Sequence, residues 1–249
     1  MCTLVILHRP GHDWPMIWAA NRDEMLDRPW RPPARHWPDR PGVVAGLDQL
    51  AGGSWLGLND AGVVAGIMNR HGTLGPAAGM RSRGELVLAA LQHRDAKTAA
   101  QSMSMLKPAE YRAFNLVIAD RSGAFWVCHR TSSATQTFEI EELAPGYSMF
   151  TERDRNDTES ARIRFNLPRF EEASVPRPER GDWSVWETLL LSRDSASARE
   201  PRGAMWIAPR NGFGTVCSSL LALPAAADKA HWRFADSGVA AAEFTKVAL

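Results

Sequence analysis

The apolar runs of this chain are short, and turn residues cut them at spacings that suit strands rather than long helices. Gly53 to Leu58 and Val63 to Asn69 are separated only by Asn59-Asp60-Ala61-Gly62. These turn residues tolerate left-handed backbone, so the pair predicts an antiparallel hairpin. Thr3 to Leu7 and Met16 to Ala20, on either side of Pro10-Gly11-His12, predict a second hairpin. Further strands are expected over Phe114 to Asp120, Ala124 to Arg130, Thr135 to Leu143 and Tyr147 to Thr151, and closing strands over Met205 to Ala208, Thr215 to Leu223 and Trp232 to Ala235.

Helices fall between and after these blocks. Ser82-Arg83-Gly84-Glu85 has capping-box spacing ahead of Leu86-Val87-Leu88 and predicts a helix to about His93, with a second near Ala96 to Leu106. Thr158 to Phe170 and Ser184 to Arg193 read as two more. Arg28 to Pro41 holds five of the sixteen prolines together with Trp30 and Trp37, which predicts an ordered loop without regular structure. Its two tryptophans are the residues to look for at a pocket mouth. Blocks of strands flanked by helix pairs suit an α+β architecture: two stacked antiparallel sheets covered by helices on both outer faces. A chain of 249 residues, 45% of them hydrophobic and with no internal repeat, is expected to form a single domain over 1–249.

Charge and cysteine usage narrow the function classes. Lys plus Arg number 29 against 28 Asp plus Glu, so no net field draws the chain to nucleic acid or an anionic membrane, and a small-molecule partner fits better. His8, Arg9, Pro10, His12 and Asp13 interrupt any leader-like apolar core, and no uncharged apolar run suggests membrane insertion. A cytoplasmic location is expected. Cys2, Cys128 and Cys217 are widely spaced, and no His or acidic cluster has ligand spacing, so neither a disulfide framework nor a metal site is expected. Gly72 to Gly79 lacks the lysine or helix context of a phosphate loop, so no nucleotide or other cofactor is expected. Oligomeric state is open.

Cys2 can carry chemistry. A cysteine directly after the initiator methionine is small enough for an aminopeptidase to expose, which leaves a free α-amine beside its own sulfur. An α-amine of pKa roughly 7.7 to 8.0 can accept the thiol proton near neutral pH, and the thiolate can then attack an acyl carbon without a distant histidine. A small buried residue at a strand edge is the other reading of the same cysteine.

Met1-Cys2-Thr3 followed by Asn21-Arg22-Asp23-Glu24 resembles the NRDE family, also called the transport and Golgi organisation family. The likeness continues through Gly53-Ser54-Trp55-Leu56-Gly57, the Asn59 to Asn69 hairpin, Ser82-Arg83-Gly84 and Phe114-Asn115-Leu116. It ends at Gly214-Thr215-Val216-Cys217-Ser218-Ser219, which is similar to a late Gly-Thr-Arg-Ser-Ser strand of that family. The family in turn resembles the cysteine amidases that include bile-salt hydrolases and penicillin V acylases. That resemblance implies the N-terminal nucleophile (Ntn) hydrolase fold, a four-layer αββα sandwich, with Cys2 as nucleophile and Asn21, Arg22 and Asp23 beside it. It also implies Asn69 as an oxyanion donor, a role suited to a side-chain amide because it donates without titrating.

Two positions depart from the amidase pattern. The amidases place their arginine and aspartate three positions apart, whereas Arg22 and Asp23 are adjacent and point to opposite faces of any continuing strand. Where the amidases have a later asparagine, Tyr147-Ser148-Met149-Phe150-Thr151 ends in threonine. Two readings therefore stay open. One is an N-terminal cysteine amidohydrolase acting on a linear C–N amide bond of a small acylated molecule. The other is a non-catalytic protein that binds or carries a small ligand such as haem, a lipid or acyl-CoA, as the family resemblance implies.

Overall fold

A computed structural model describes residues 2–130, 137–226, 229–237 and 242–249. Contacts divide the chain into two compact units: the chain to Asp27 with Gly146–Val247, and Arg28–Pro145 with Ala248–Leu249.

The first unit is built on β1 (Thr3–His8), β2 (Met16–Met25), β10 (Gly146–Phe150), β11 (Phe213–Leu223), β12 (His231–Asp236) and β13 (Thr245–Lys246), with helices α3 (Ala161–Glu172) and α4 (Ser184–Leu190). Its strands run in the order β10-β1-β2-β11-β12-β13, and each neighbouring pair is antiparallel. Every residue of β1 is buried, which is why Leu4 to Leu7 run continuously apolar instead of alternating. Val5, Leu7, Ile17, Ala19, Leu220 and Ala222 form one face and pack with Ile163, Phe170, Trp186 and Leu190 of the two helices.

The second unit is built on β3 (Trp30–Ala34), β4 (Val43–Asp48), β5 (Leu56–Asn59), β6 (Val64–Asn69), β7 (Phe114–Ala119), β8 (Ala124–His129) and β9 (Glu139–Glu142), in that order across one antiparallel sheet. Helices α1 (Gly84–Ala90) and α2 (Ala96–Ser102) supply Leu86, Val87, Ala99 and Ala100 to a core with Ala65, Ile67, Leu116 and Ile118 of the sheet.

The Asn59 hairpin forms as its turn residues require. Asn59 Oδ1 accepts from the amides of Ala61 (3.1 Å) and Val63 (2.9 Å), and Gly62 sits at φ +87°. The other end of the same side chain donates to the carbonyls of Leu91 (2.8 Å) and His93 (2.7 Å), tying the hairpin to the segment that ends α1.

Four local expectations are corrected. β2 does not stop at Ala20 but continues through Asn21-Arg22-Asp23-Glu24 to Met25, because the eleven-residue β11 pairs with it along its whole length. The proline-rich segment is partly a strand: β3 is an edge strand whose pairing to β4 is interrupted between Arg31 and Ala34, the place where Pro32 and Pro33 can donate nothing to a ladder. No capping box forms at α1. Ser82 Oγ accepts from Gly84 N (3.2 Å), while Glu85 pairs with Arg81 at 2.7 Å. Met205 to Ala208 is not a strand, since its backbone is engaged elsewhere: Met205 O accepts from Asn21 Nδ2, and Ile207 N donates to Thr215 Oγ1. For the strand expected from Thr135, residues 135 and 136 lie outside the described residues, and β9 occupies Glu139–Glu142.

Trp30 and Trp37 both pack within the second unit. Trp30 meets Trp55 edge-on with ring centroids 5.9 Å apart, and Trp37 Nε1 donates to Gly52 O at 3.1 Å. Close by, Gly53 and Gly84 let two backbones touch, with Ser54 N donating to Gly84 O at 3.0 Å. A Cβ on Gly53 would meet the Gly84 carbonyl carbon at 2.5 Å, and that backbone cannot swing aside as a side chain would. Gly53→Ala is therefore expected to lower stability by roughly 3 kcal/mol in urea unfolding. Gly123→Ala, whose nearest new contact would be Phe125 at 3.9 Å, should stay within about 0.5 kcal/mol of wild type.

Candidate active site around Cys2

Cys2 immediately precedes β1 and is partly buried. The pairing of Thr3 with Asn21 sets the geometry around it. Side chains alternate along strands, so Thr3, Asn21 and Asp23 share the face covered by α3 and α4, whereas Cys2 and Arg22 fall on the other face with Leu4, Ile6 and Trp18. The five-residue extension of β2 thus divides the polar tetrad between two jobs.

On the Cys2 face, Arg22 is only 4% exposed and stands 3.8 Å from Glu24. Cys217 pairs with Arg22 from the far side, on β11. Arg22 thus lies in a row between two thiols. The Cys2 thiol donates to the backbone carbonyl of Asp23 at 3.9 Å. Burial pushes the Cys2 thiol above its usual value; the negative charge of Asp23 adds to that, and Arg22 opposes it. Cys217 is also pushed up by burial and opposed by Arg22, and at 1% exposure it is a fully buried residue, whereas Cys2 is partly exposed.

On the helix face, Asn21 Nδ2 donates to the carbonyls of Leu190 and Met205, both at 2.9 Å, closing the end of α4 and fastening the irregular segment beyond it. Asp23 accepts at one carboxylate oxygen from Arg162 Nη1 (2.8 Å) and at the other from Thr215 Oγ1 (2.7 Å). The second contact depends on a β-bulge. The register steps from Cys217 opposite Arg22 to Thr215 opposite Asp23, so Val216 is the extra residue and a hydroxyl rather than an isopropyl group meets the carboxylate. Arg162 Nη1 also donates to Thr3 Oγ1, and its Nε donates to Arg202 O at 3.2 Å. Both side chains of the Arg162–Asp23 pair are 0% exposed. Sequence reasoning did not reach Arg162. The available signal was a pair of polar residues, Arg162 and Asn166, one helical turn apart beside the apolar Ile163 and Phe170.

Asn69, in the second unit, ends β6 opposite Phe114 and is partly exposed. Alternation puts it on the side of Ile67, where α1 and α2 pack, while Met68 and Asn115 take the other side. Asn115 is fully buried there, and its Oδ1 accepts from Arg70 Nη1 (2.8 Å) and Trp126 Nε1 (3.1 Å). Thr151, at the place of the amidase asparagine, is fully buried and donates to Ser160 Oγ at 3.1 Å, a tie between β10 and the start of α3. Among the described residues no group of three or more His, Cys, Asp or Glu side chains could hold a metal ion, and no helix is long and apolar enough to cross a membrane.

A family model described as Transport and Golgi organisation 2 matches residues 1–227. The chain belongs to that family. No curated protein sequence matches this family member. Solved structures do resemble it. An N-acylethanolamine-hydrolyzing acid amidase ortholog from Caenorhabditis elegans superposes with a TM-score of 0.56 at 12% identity, covering 91% of this chain and 94% of its own. Two single-site variants of the conjugated bile acid hydrolase from Clostridium perfringens each give 0.54 at 10% identity, covering 99% of this chain and 92% of theirs. At such identities the likeness shows the fold: this Transport and Golgi organisation 2 family chain is an α+β protein of antiparallel sheets with the Ntn-hydrolase fold.

Proposed function

We propose that the chain is an N-terminal cysteine amidohydrolase that cleaves a linear C–N amide bond of a small acylated molecule. The observation that carries this reading is the setting of Cys2: a partly exposed residue at the head of the first strand, on the same face as the buried cation of Arg22, with its thiol donating to the Asp23 carbonyl. The names of the structural neighbours, an acid amidase and a bile acid hydrolase, support the choice of bond.

In this mechanism removal of Met1 frees the α-amine of Cys2. The amine takes the thiol proton, and the thiolate attacks the acyl carbon. The tetrahedral oxyanion collapses as the departing amine takes the proton back from the ammonium, which leaves a thioester on Cys2. Water, deprotonated by the same α-amine, then releases the acid. Arg22 offsets negative charge on the face where the thiolate forms, while Asn21 and Asp23 hold the strand rigid from behind.

Mass spectrometry of protein purified from its own host, then mixed with a panel of N-acyl amino acids and N-acyl amines, tests the reading. The expected result is an intact mass lacking Met1 and an acyl adduct on the Cys2 peptide. Retained Met1 with no adduct from any member of the panel would replace it with the carrier of a small ligand such as haem, a lipid or acyl-CoA.

A further inference from the structure

An arginine side chain with no exposed surface is costly unless its charge is paired. Arg162 meets that cost with contacts that converge on the nucleophile's two backbone supports. It donates to Thr3, the residue that follows Cys2, and to the carboxylate of Asp23, the residue whose carbonyl receives the Cys2 thiol. Its Nε is anchored on Arg202 O, and the remaining carboxylate oxygen of Asp23 is held by Thr215 from β11. One guanidinium on α3 therefore clamps β1 to β2 at the level of Cys2, and does so from the face opposite the thiol. It also places a positive charge against a carboxylate whose charge acts on that thiol.

We infer that Arg162 is the positioning residue of the Cys2 nucleophile, fixing the thiol through Thr3 and Asp23 and offsetting the Asp23 charge beside it. This rests on Cys2 being the reactive group of the proposed hydrolase. The charged and titratable groups that bear on the thiol are the N-terminal ammonium, Arg22 and Asp23 on β2 and Cys217 on β11; Glu24 stands beside Arg22, and Arg162 on α3 acts through Asp23. Deleting the Arg162 cation leaves the Asp23 charge uncompensated and makes the thiolate harder to form. A residue needed only to fill space would not produce that effect.

The test is the pH profile of Cys2 alkylation by iodoacetamide, followed on the Cys2 peptide by mass spectrometry. It compares wild type, Arg162→Gln, Asp23→Asn and the Asp23→Asn/Arg162→Gln double variant, with folding checked by circular dichroism. Arg162→Gln is expected to move the profile about one pH unit alkaline, which is about a tenfold slower alkylation at pH 7. Asp23→Asn should lie on the acid side of wild type, and the double variant between the two singles. If Arg162→Gln does not fold, Asp23→Asn, whose amide oxygen can still accept from Arg162, and the double variant, which buries neither charge of the pair, carry the comparison. Profiles that superimpose on wild type in the folded variants would overturn the inference. Alkylation requires no turnover, so a chain that shows these shifts but hydrolyses no amide would sink the hydrolase reading alone. Cys2-dependent turnover with unshifted profiles would sink only the role of Arg162.

Discussion

Cys2→Ala should abolish amide hydrolysis while leaving the fold intact. Loss of a covalent nucleophile removes the reaction path itself, and comparable deletions lower turnover by about four orders of magnitude or more. The structural cost should be small. Cys2 lies outside β1, is partly exposed, and makes one long S–H···O contact at 3.9 Å to Asp23. Such a contact is weak, so the urea midpoint should fall by no more than about 0.5 kcal/mol equivalent. Alanine is also small enough for Met1 to be removed, so processing stays matched between the two proteins. Turnover of any N-acyl substrate at the wild-type rate by Cys2→Ala would rule out Cys2 as nucleophile. An unfolded Cys2→Ala would mean that the residue is structural, as its position at a strand edge first allowed.

Cys2 and the strand behind it were legible because their signals are local. The β-branched and apolar run from Thr3 to Leu7, closed by turn residues and too short for a typical helix, reads as a buried strand, and the Asn59 hairpin announces itself through a side chain that bonds its own backbone. The Asn21 to Glu24 tetrad was misread for a non-local reason. Four polar residues after an apolar run look like a strand end, yet here each is paired to β11, and Asn21 and Asp23 find partners from α3, α4 and the segment near Met205. No pattern within the tetrad announces those partners, which lie more than a hundred residues away in sequence. The same non-locality explains Met205 to Ala208, apolar enough for a strand but held by the side chains of Asn21 and Thr215. The bulge at Val216 is a further case. Only the pairing with β2 shows that Thr215 and Cys217, two residues apart, face opposite sides of the sheet.

The adjacency of Arg22 and Asp23, a departure from the amidase spacing, acquires a physical meaning in this arrangement. On a continuing strand the two cannot serve one face, and they do not: Arg22 joins Cys2 and Cys217, while Asp23 turns to the helices and meets Arg162. The chain thus sets a cation on the reactive face and places the compensating carboxylate behind it, buried and paired. That division predicts a large stability effect away from the thiol. Asp23→Leu removes one member of a fully buried ion pair and leaves the Arg162 guanidinium facing a side chain that can accept nothing, a change expected to cost about 3–5 kcal/mol. Thr215 loses its acceptor as well, so the bulged turn of β11 should loosen with it. The Asp23→Leu/Arg162→Met double variant removes both charges and refills the site with apolar atoms. It should recover most of the loss, because replacing a buried pair by hydrophobic groups is commonly near neutral. Urea unfolding of the wild type, Asp23→Leu, Arg162→Met and the double variant forms a cycle that isolates the pair. A coupling energy below about 1 kcal/mol would mean that water reaches this site and that the two charges do not depend on each other.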